Sequence, residues 1–188
     1  MTLRKIARLG HPVLLRRAAE VADVHDPEVQ RLIDDMVATM HDAGGIGLAA
    51  PQVHESVRIV VAIPLRSREE MEGSREDTSR PAPLVLVNPE LTPVGDERAL
   101  AVEGCLSIPE IRGLVPRYER VRYTGLDRHG RPVEGEATGL LARILQHEVD
   151  HLDGILFLGR MTDLRSLAFT SELRYLMQEA AGTTGDRA

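Results

Sequence analysis

Apolar residues along this chain change period several times, and the changes mark its elements. Val29, Leu32, Ile33, Met36, Val37 and Met40 recur every three or four positions, the stripe of an amphipathic helix. Asp26-Pro27 starts it, since aspartate accepts from first-turn N–H groups and proline loses nothing where its missing N–H would have no partner. Gly44-Gly45 stops it. His41, in the last turn, reads as a structural partner of the helix dipole. A second helical run covers 138–154. Leu140, Ile144, His147 and His151 share one face, and Leu141, Leu145, Glu148 and Leu152 the adjoining one. A third helix is expected over about 163–180, carrying Leu164, Leu167, Ala168, Leu173, Leu176 and Met177.

Between these runs the pattern shortens. Residues 57–63 and 84–88 are β-branched and read as strands. Pro89 and Pro93 interrupt the chain just beyond the second of them. Residues 97–102 and 119–127 also read as strands, with a short returning strand at 132–136 after the turn Arg128-His129-Gly130-Arg131. Residues 1–25 predict an arm hugging the surface, turning at Gly10-His11-Pro12. The stretch 66–83 is polar and charged and predicts a surface loop within one domain. Residues 181–188 predict a frayed tail.

Composition narrows the class. With 188 residues, 43% hydrophobic and 28% charged, the chain can bury a core; without tryptophan and with two Phe and three Tyr, that core must be aliphatic. A net charge of -6 disfavours nucleic acid or an anionic membrane as the main partner. No apolar run would span a bilayer, and the N-terminus lacks the apolar core of a secretory signal. Cys105 is the single cysteine, so no intrachain disulfide forms, which fits a reducing cytoplasm.

The chemistry concentrates at His147-Glu148-Val149-Asp150-His151, an H-E-x-x-H pattern. Two histidines four apart on a helix point the same way and can share one metal ion, and the glutamate can act as base to a water on it. The apolar residues ahead of His147 predict a hydrophobic pocket beside that metal. A third ligand is needed. Downstream acids (Asp153, Asp163, Glu172, Glu179) and upstream Cys105 are both candidates, and a thiolate suits soft and borderline metals. Cys105 lies where a strand becomes a turn, able to present a side chain and free backbone N–H groups. Gly45-Ile46-Gly47-Leu48-Ala49-Ala50-Pro51-Gln52 superficially matches a dinucleotide fingerprint. That fingerprint needs a strand before it and a helix after it; here a helix precedes, and Pro51 would break one just begun. A tight segment allowing close approach, with Gln52 offering an amide donor, is the better reading.

Gly45 to Gln52, Glu103-Gly104-Cys105-Leu106-Ser107 and Gln146 to His151 together resemble, in order, the three signature motifs of the peptide deformylase family. The resemblance implies a hydrolase that removes the formyl group from the N-terminal formylmethionine of nascent polypeptides. It implies one divalent metal on Cys105, His147 and His151, natively Fe2+, with Zn2+, Ni2+ or Co2+ as substitutes. Glu148 would be the general acid and base. The Gln52 side chain and the Leu106 backbone N–H would bind the formyl oxygen, and Gly47 would pair with the substrate backbone. Ile46, Leu140 and Ile144 are expected to line the methionine pocket. Arg112 is the candidate to meet the peptide further along, against a plain surface charge. Asp150 is either an acceptor orienting a ligand imidazole or a solvated acid, and Arg143 is expected to reach outward to solvent. The fold expected is α+β, with small antiparallel or mixed β-sheets packed around a central metal-binding helix and with N- and C-terminal helices, 1–188 forming a single catalytic domain. A cytoplasmic enzyme is expected, with the ribosome near its exit as a candidate partner. The alternative is a zinc peptidase using His147, His151 and a downstream acid.

Overall fold

The computed structural model describes residues 1–65 and 81–182. Most of the expected 66–83 loop and the end of the 181–188 tail lie outside the described residues. Helix α1 (Pro27–Asp42) forms as its stripe predicts. The Asp26 carboxylate accepts from the Glu28 N–H, and Leu32, Ile33, Met36 and Met40 are buried. One antiparallel sheet holds five strands, in the spatial order β1 (Gly47–Ala49), β2 (Ile59–Ala62), β3 (Leu84–Pro93), β6 (Arg120–Leu126) and β7 (Pro132–Thr138). A smaller sheet of β4 (Arg98–Cys105), β5 (Ile108–Tyr118) and β8 (Ala168–Phe169) stands apart. Every ladder between these strands is antiparallel. Helix α2 (Gly139–Leu152) runs between the sheets, touching β1, β2, β3, β6 and β7 on one side and β5 on the other. The expected α+β arrangement around a central helix is what forms.

The core is aliphatic and falls into connected clusters. One joins α1 to β1 and β2; another joins α2 to β3, β6 and β7. A third, with Leu14, Val115, Leu156 and Phe157, lies around Cys105. The N-terminal arm is more than a wrapping: Leu14 is fully buried.

Several boundaries depart from expectation, each for a physical reason. Gly47–Ala49 is not a loop but the edge strand β1, paired Gly47 to Ala62, and Gln52 follows in a 3-10 turn, Ala50–Val53. Strand β3 continues past Pro89 through a bulge between Val87 and Glu90. Asn88 takes φ +51 there, and its amide is held by the Val21 N–H and carbonyl at 2.9 and 3.0 Å. Strand β5 was not expected at all. Pro109, Gly113 and Pro116 hide its alternation, although Gly113, Val115 and Arg117 face inward in turn. β8 covers only Ile111 and Arg112, so the rest of that edge is open and tolerates Pro116. The helix expected over 163–180 begins only at Leu173 (α3, Leu173–Gly182). Asp163 caps a lone 3-10 turn, accepting from the Arg165 N–H at 2.9 Å, and Ala168-Phe169 pair with β5 instead of coiling.

Arg58, buried, ties the end of α2 to the sheet by donating to Asp153 Oδ1 at 2.8 Å and, more weakly, to the Leu152 carbonyl at 3.4 Å. Gly154 follows at φ +73, where an added Cβ would lie 2.7 Å from the Leu15 carbonyl carbon. Gly44, at φ +65, has open space instead. Gly44→Ala should therefore cost about 1 kcal/mol, from the left-handed backbone alone. Gly154→Ala should cost at least about twice that, since strain and collision add. Urea unfolding of the two variants is the check.

Candidate metal centre and active site

Strand β4 ends at Cys105, and a two-residue turn, Leu106-Ser107, returns the chain into β5. Helix α2 brings His147 and His151 opposite that turn. Candidate ligand atoms of Cys105, His147 and His151 all lie within 4.8 Å of one another, and all three residues are buried. Cys105 Sγ is 3.2 Å from His151 Nε2. The imidazoles sit edge to face, centroids 5.0 Å apart, and Phe157 stacks on His147.

The donor set fits a transition-metal cation. His147 Nδ1 is engaged by Glu103 Oε2 at 2.9 Å, which leaves Nε2 as the free ring nitrogen. Its protonated form is held well above the usual histidine range: burial opposes the charge, but contacts with Cys105 and Glu103 outweigh it. His151 is pushed the other way, by burial and then by the charge on His147. One sulfur and two imidazole nitrogens facing a common point make a donor set that suits a transition-metal cation, which would displace the protons held there. The downstream alternative loses its ligand. Asp153 is taken by Arg58 and Asp163 by Arg165, Glu172 is exposed, none of the three belongs to the cysteine–histidine group, and the Glu179 side chain lies outside the described part.

Glu148 shares this space. Among the described residues its Oε2 is buried without a hydrogen-bond partner, and burial raises its pKa to about 7. Its carboxylate lies against the α-carbon of Gly47, where any Cβ would collide with it. Gly45 is constrained in the same way by Leu106, whose Cδ1 would be 2.9 Å from an added Cβ. The glycines of the first motif thus make room for the second and third. Gln52 is oriented by the Ala49 N–H, which donates to its Oε1 at 2.9 Å. That turns Nε2 toward Ser107 Oγ at 3.2 Å and Cys105 Sγ at 3.5 Å. A cavity of about 660 Å³ opens beside the group, and Ile46, Gly47, Gln52, Leu106, Leu140 and Ile144 line it together with Arg112, Glu148 and His147. His151 is fully buried.

Two expectations are corrected. Arg143 does not reach solvent; it is buried and donates to Glu103 Oε1 at 2.7 Å and to the Val115 and Ala99 carbonyls. Asp150 orients no imidazole and is not solvated; it accepts from Arg117 at 2.5 Å and from Arg160 at 2.6 Å. The residue holding the His147 imidazole is Glu103, which lies within one of the three motifs but carried no expected role. Arg117 was missed entirely, although it donates to both Glu103 oxygens at 2.9 and 3.0 Å. Burial would raise the Glu103 pKa, but His147 and Arg117 bring it down to about 2. An arginine at an inward position of an alternating strand would have been the signal, had β5 been read as a strand.

Comparison with known proteins points to one family. The family model described as polypeptide deformylase matches residues 3–166. Peptide deformylase 1 of Bordetella pertussis is 43% identical over 175 residues, covering 91% of this chain and 94% of that one. The peptide deformylase of Roseiflexus castenholzii is 42% identical over 192 residues, covering 98% and 100%. Among solved structures, class I type b peptide deformylase from Acinetobacter baumannii with Met-Ala-Ser bound aligns with a TM-score of 0.74 and 38% identity, over 85% of this chain and all of that one. The Ehrlichia chaffeensis peptide deformylase in complex with actinonin aligns with a TM-score of 0.76 and 31% identity over the whole of both chains.

Because Glu148 titrates near 7 folded and near 4.5 unfolded, the folded metal-free protein holds a proton that the unfolded chain releases between those values. Stability must then fall as pH rises from 4.5 to 7. Glu148→Gln cannot ionise and escapes this loss. The metal-free variant should match the parent near pH 4.5 and exceed it by about 3 kcal/mol at pH 8. Denaturant midpoints across that range measure the gap.

Proposed function

The chain belongs to the polypeptide deformylase family, and from that membership we propose how its own residues hydrolyse the N-formyl bond of a new polypeptide. It is a metal-dependent hydrolase that removes formyl from N-terminal formylmethionine. The observation that supports the assignment of roles is the meeting of Cys105, His147 and His151 with Glu148 and Gln52 around one cavity. Those three residues would hold a divalent cation, which when bound would supply a Lewis acid and lower the pKa of water at the site. We assign Fe2+ as the native occupant, with Zn2+, Ni2+ or Co2+ able to replace it, since thiol and imidazole donors suit all four.

The chain's residues then divide the work. The methionine side chain enters between Ile46, Leu140 and Ile144, and the substrate backbone pairs along β1 at Gly47. β1 is an edge strand of its sheet, so its outer side can accept an added strand. Arg112 meets the peptide beyond the methionine. Glu148, buried and near neutral in its affinity for protons, takes a proton from the attacking water. As negative charge grows on the formyl oxygen, Gln52 Nε2 and the Leu106 N–H donate to it. Glu148 delivers its proton to the amine nitrogen as the C–N bond breaks, so formate and a free N-terminus leave. Residues 1–188 work as one catalytic domain. Among the described residues no helix is long and apolar enough to cross a membrane. We place the enzyme in the cytoplasm, acting on nascent chains, with the ribosome near its exit as its docking partner.

Two variants separate the roles. Cys105→Ala should lose bound metal and all activity, whereas Glu148→Ala should keep one metal per chain and lose formate release by at least about 100-fold. Metal retained by Cys105→Ala, or turnover retained by Glu148→Ala, would sink the assignment. The pocket is tested by Leu140→Asp, which should raise KM for formyl-Met-Ala at least about tenfold. An unchanged KM removes Leu140 from the pocket.

A further inference from the structure

The rim of the cavity carries charges that the chemistry does not use. Arg8, from the N-terminal arm, and Arg112, from β5, both line it. Among the described residues neither arginine forms an ion pair. Arg112 donates to the Ile111 carbonyl at 2.9 Å, and its guanidinium lies over the α-carbon of Gly104, where a side chain would collide with it. Arg8 donates to the Leu106 carbonyl at 3.3 Å. Its placement is built into the fold. The residue before it, Ala7, donates its N–H to the Gln52 carbonyl at 2.8 Å, and the residue after it, Leu9, donates to the Ser107 carbonyl at 2.9 Å. Further up, the arm is tied to α1 by Arg4 to Asp35 at 3.0 Å and by the Thr2 N–H to the same carboxylate at 2.6 Å. Arg8 is therefore held at the mouth from both sides, beside the turn that carries Cys105 and Leu106.

The other charged groups lining the cavity do not cancel it. Glu103 and Arg143 are buried against each other and belong to the network under His147. Glu148 lies deep, beside the metal ligands. Glu110 is exposed on the rim and, among the described residues, is the one acid lining the cavity that opposes the two arginines there. This chain is acidic overall, at -6, yet the described mouth through which its peptide substrate must pass has two arginines against one carboxylate. A peptide whose methionine fills the inner pocket runs outward in extended form, rising about 3.3 Å per residue, so its second and third residues cross this rim.

Resting on the deformylase reading, we propose that Arg8 determines specificity, giving the enzyme a preference for nascent chains with an acidic side chain at the third residue. Arg112 adds to the positive field, and Glu110 limits it. Fields of this kind act through binding and approach more than through the chemical step, so the preference should appear in KM and weaken with salt.

The test uses the metal-loaded enzyme and C-terminally amidated formyl-Met-Ala-Xaa peptides, with Xaa as Glu, Ser or Lys. At low ionic strength kcat/KM for Glu should exceed that for Lys by roughly three- to tenfold, with Ser between, and the ratio should contract toward one as added salt shortens the screening length. Arg8→Gln should cut the Glu-to-Lys ratio by at least half, and Glu110→Gln should widen it. Equal rates for Glu and Lys with the parent enzyme, or an unchanged ratio in Arg8→Gln, would overturn the proposal while leaving the deformylase reading intact. No formate from the Ser peptide would overturn that reading, and this proposal with it.

Discussion

The carboxylate of Glu103 is the point on which the site depends. It is buried, and alone it would be expensive to keep charged. It accepts instead from Arg117 twice, from Arg143 and from His147. Each contact comes from a different place: Glu103 from β4, Arg117 from β5, Arg143 and His147 from successive turns of α2. Arg117 continues to Asp150, and Asp150 to Arg160 on the following 3-10 turn. A pair of this kind adds little net stability over a well-packed apolar contact, but losing one partner strands a buried charge at a cost of about 3–5 kcal/mol. Its effect is geometric. The hairpin that carries Cys105 and the helix that carries His147 and His151 can meet in only one way, the one that satisfies Glu103.

Around that hub the three motifs are cut to fit each other. Gly45 clears Leu106 and Gly47 clears Glu148, while Gly104 clears Arg112. Gln52 reaches Cys105 and Ser107 because Ala49, three residues earlier, holds its amide oxygen. The Ser107 N–H points at Cys105 Sγ at 3.4 Å, so the sulfur has two N–H neighbours besides the histidines. Donors around a sulfur ligand temper the charge it contributes to a metal. Buried charged groups, Glu148 among them, collect around the cysteine–histidine group. Folding stability elsewhere has to carry them.

The N-terminal arm shows how little of this is local. By itself it has no periodicity. Docked, it buries Leu14, braces the carbonyls of Gln52 and Ser107, and sets a cation at the mouth of the cavity. Its order comes from partners supplied by α1 and by the Cys105 turn.

Some of the protein was legible without coordinates because the information is local. The stripe of α1, its Asp26 cap and the Gly44 stop follow from helical period and backbone chemistry. His147, Glu148 and His151 cluster on neighbouring faces by helix geometry alone, and the apolar residues ahead of them had to face whatever those histidines face. Choice among third ligands was not local: spacing allowed Cys105 or a downstream acid, and it took the three motifs together to favour the cysteine. What only the tertiary structure decided are pairings between distant segments. β5 was hidden because its prolines sit where an open edge tolerates them. The front of the expected last helix turned extended because Ala168 and Phe169 found β5 as a partner, so the helix begins only at Leu173. Arg143 and Asp150 lie on a helix whose period says which way they point but not what waits there. Glu103 and Arg117 waited, and a charge that looks solvent-bound in sequence became buried because its partners come from other strands.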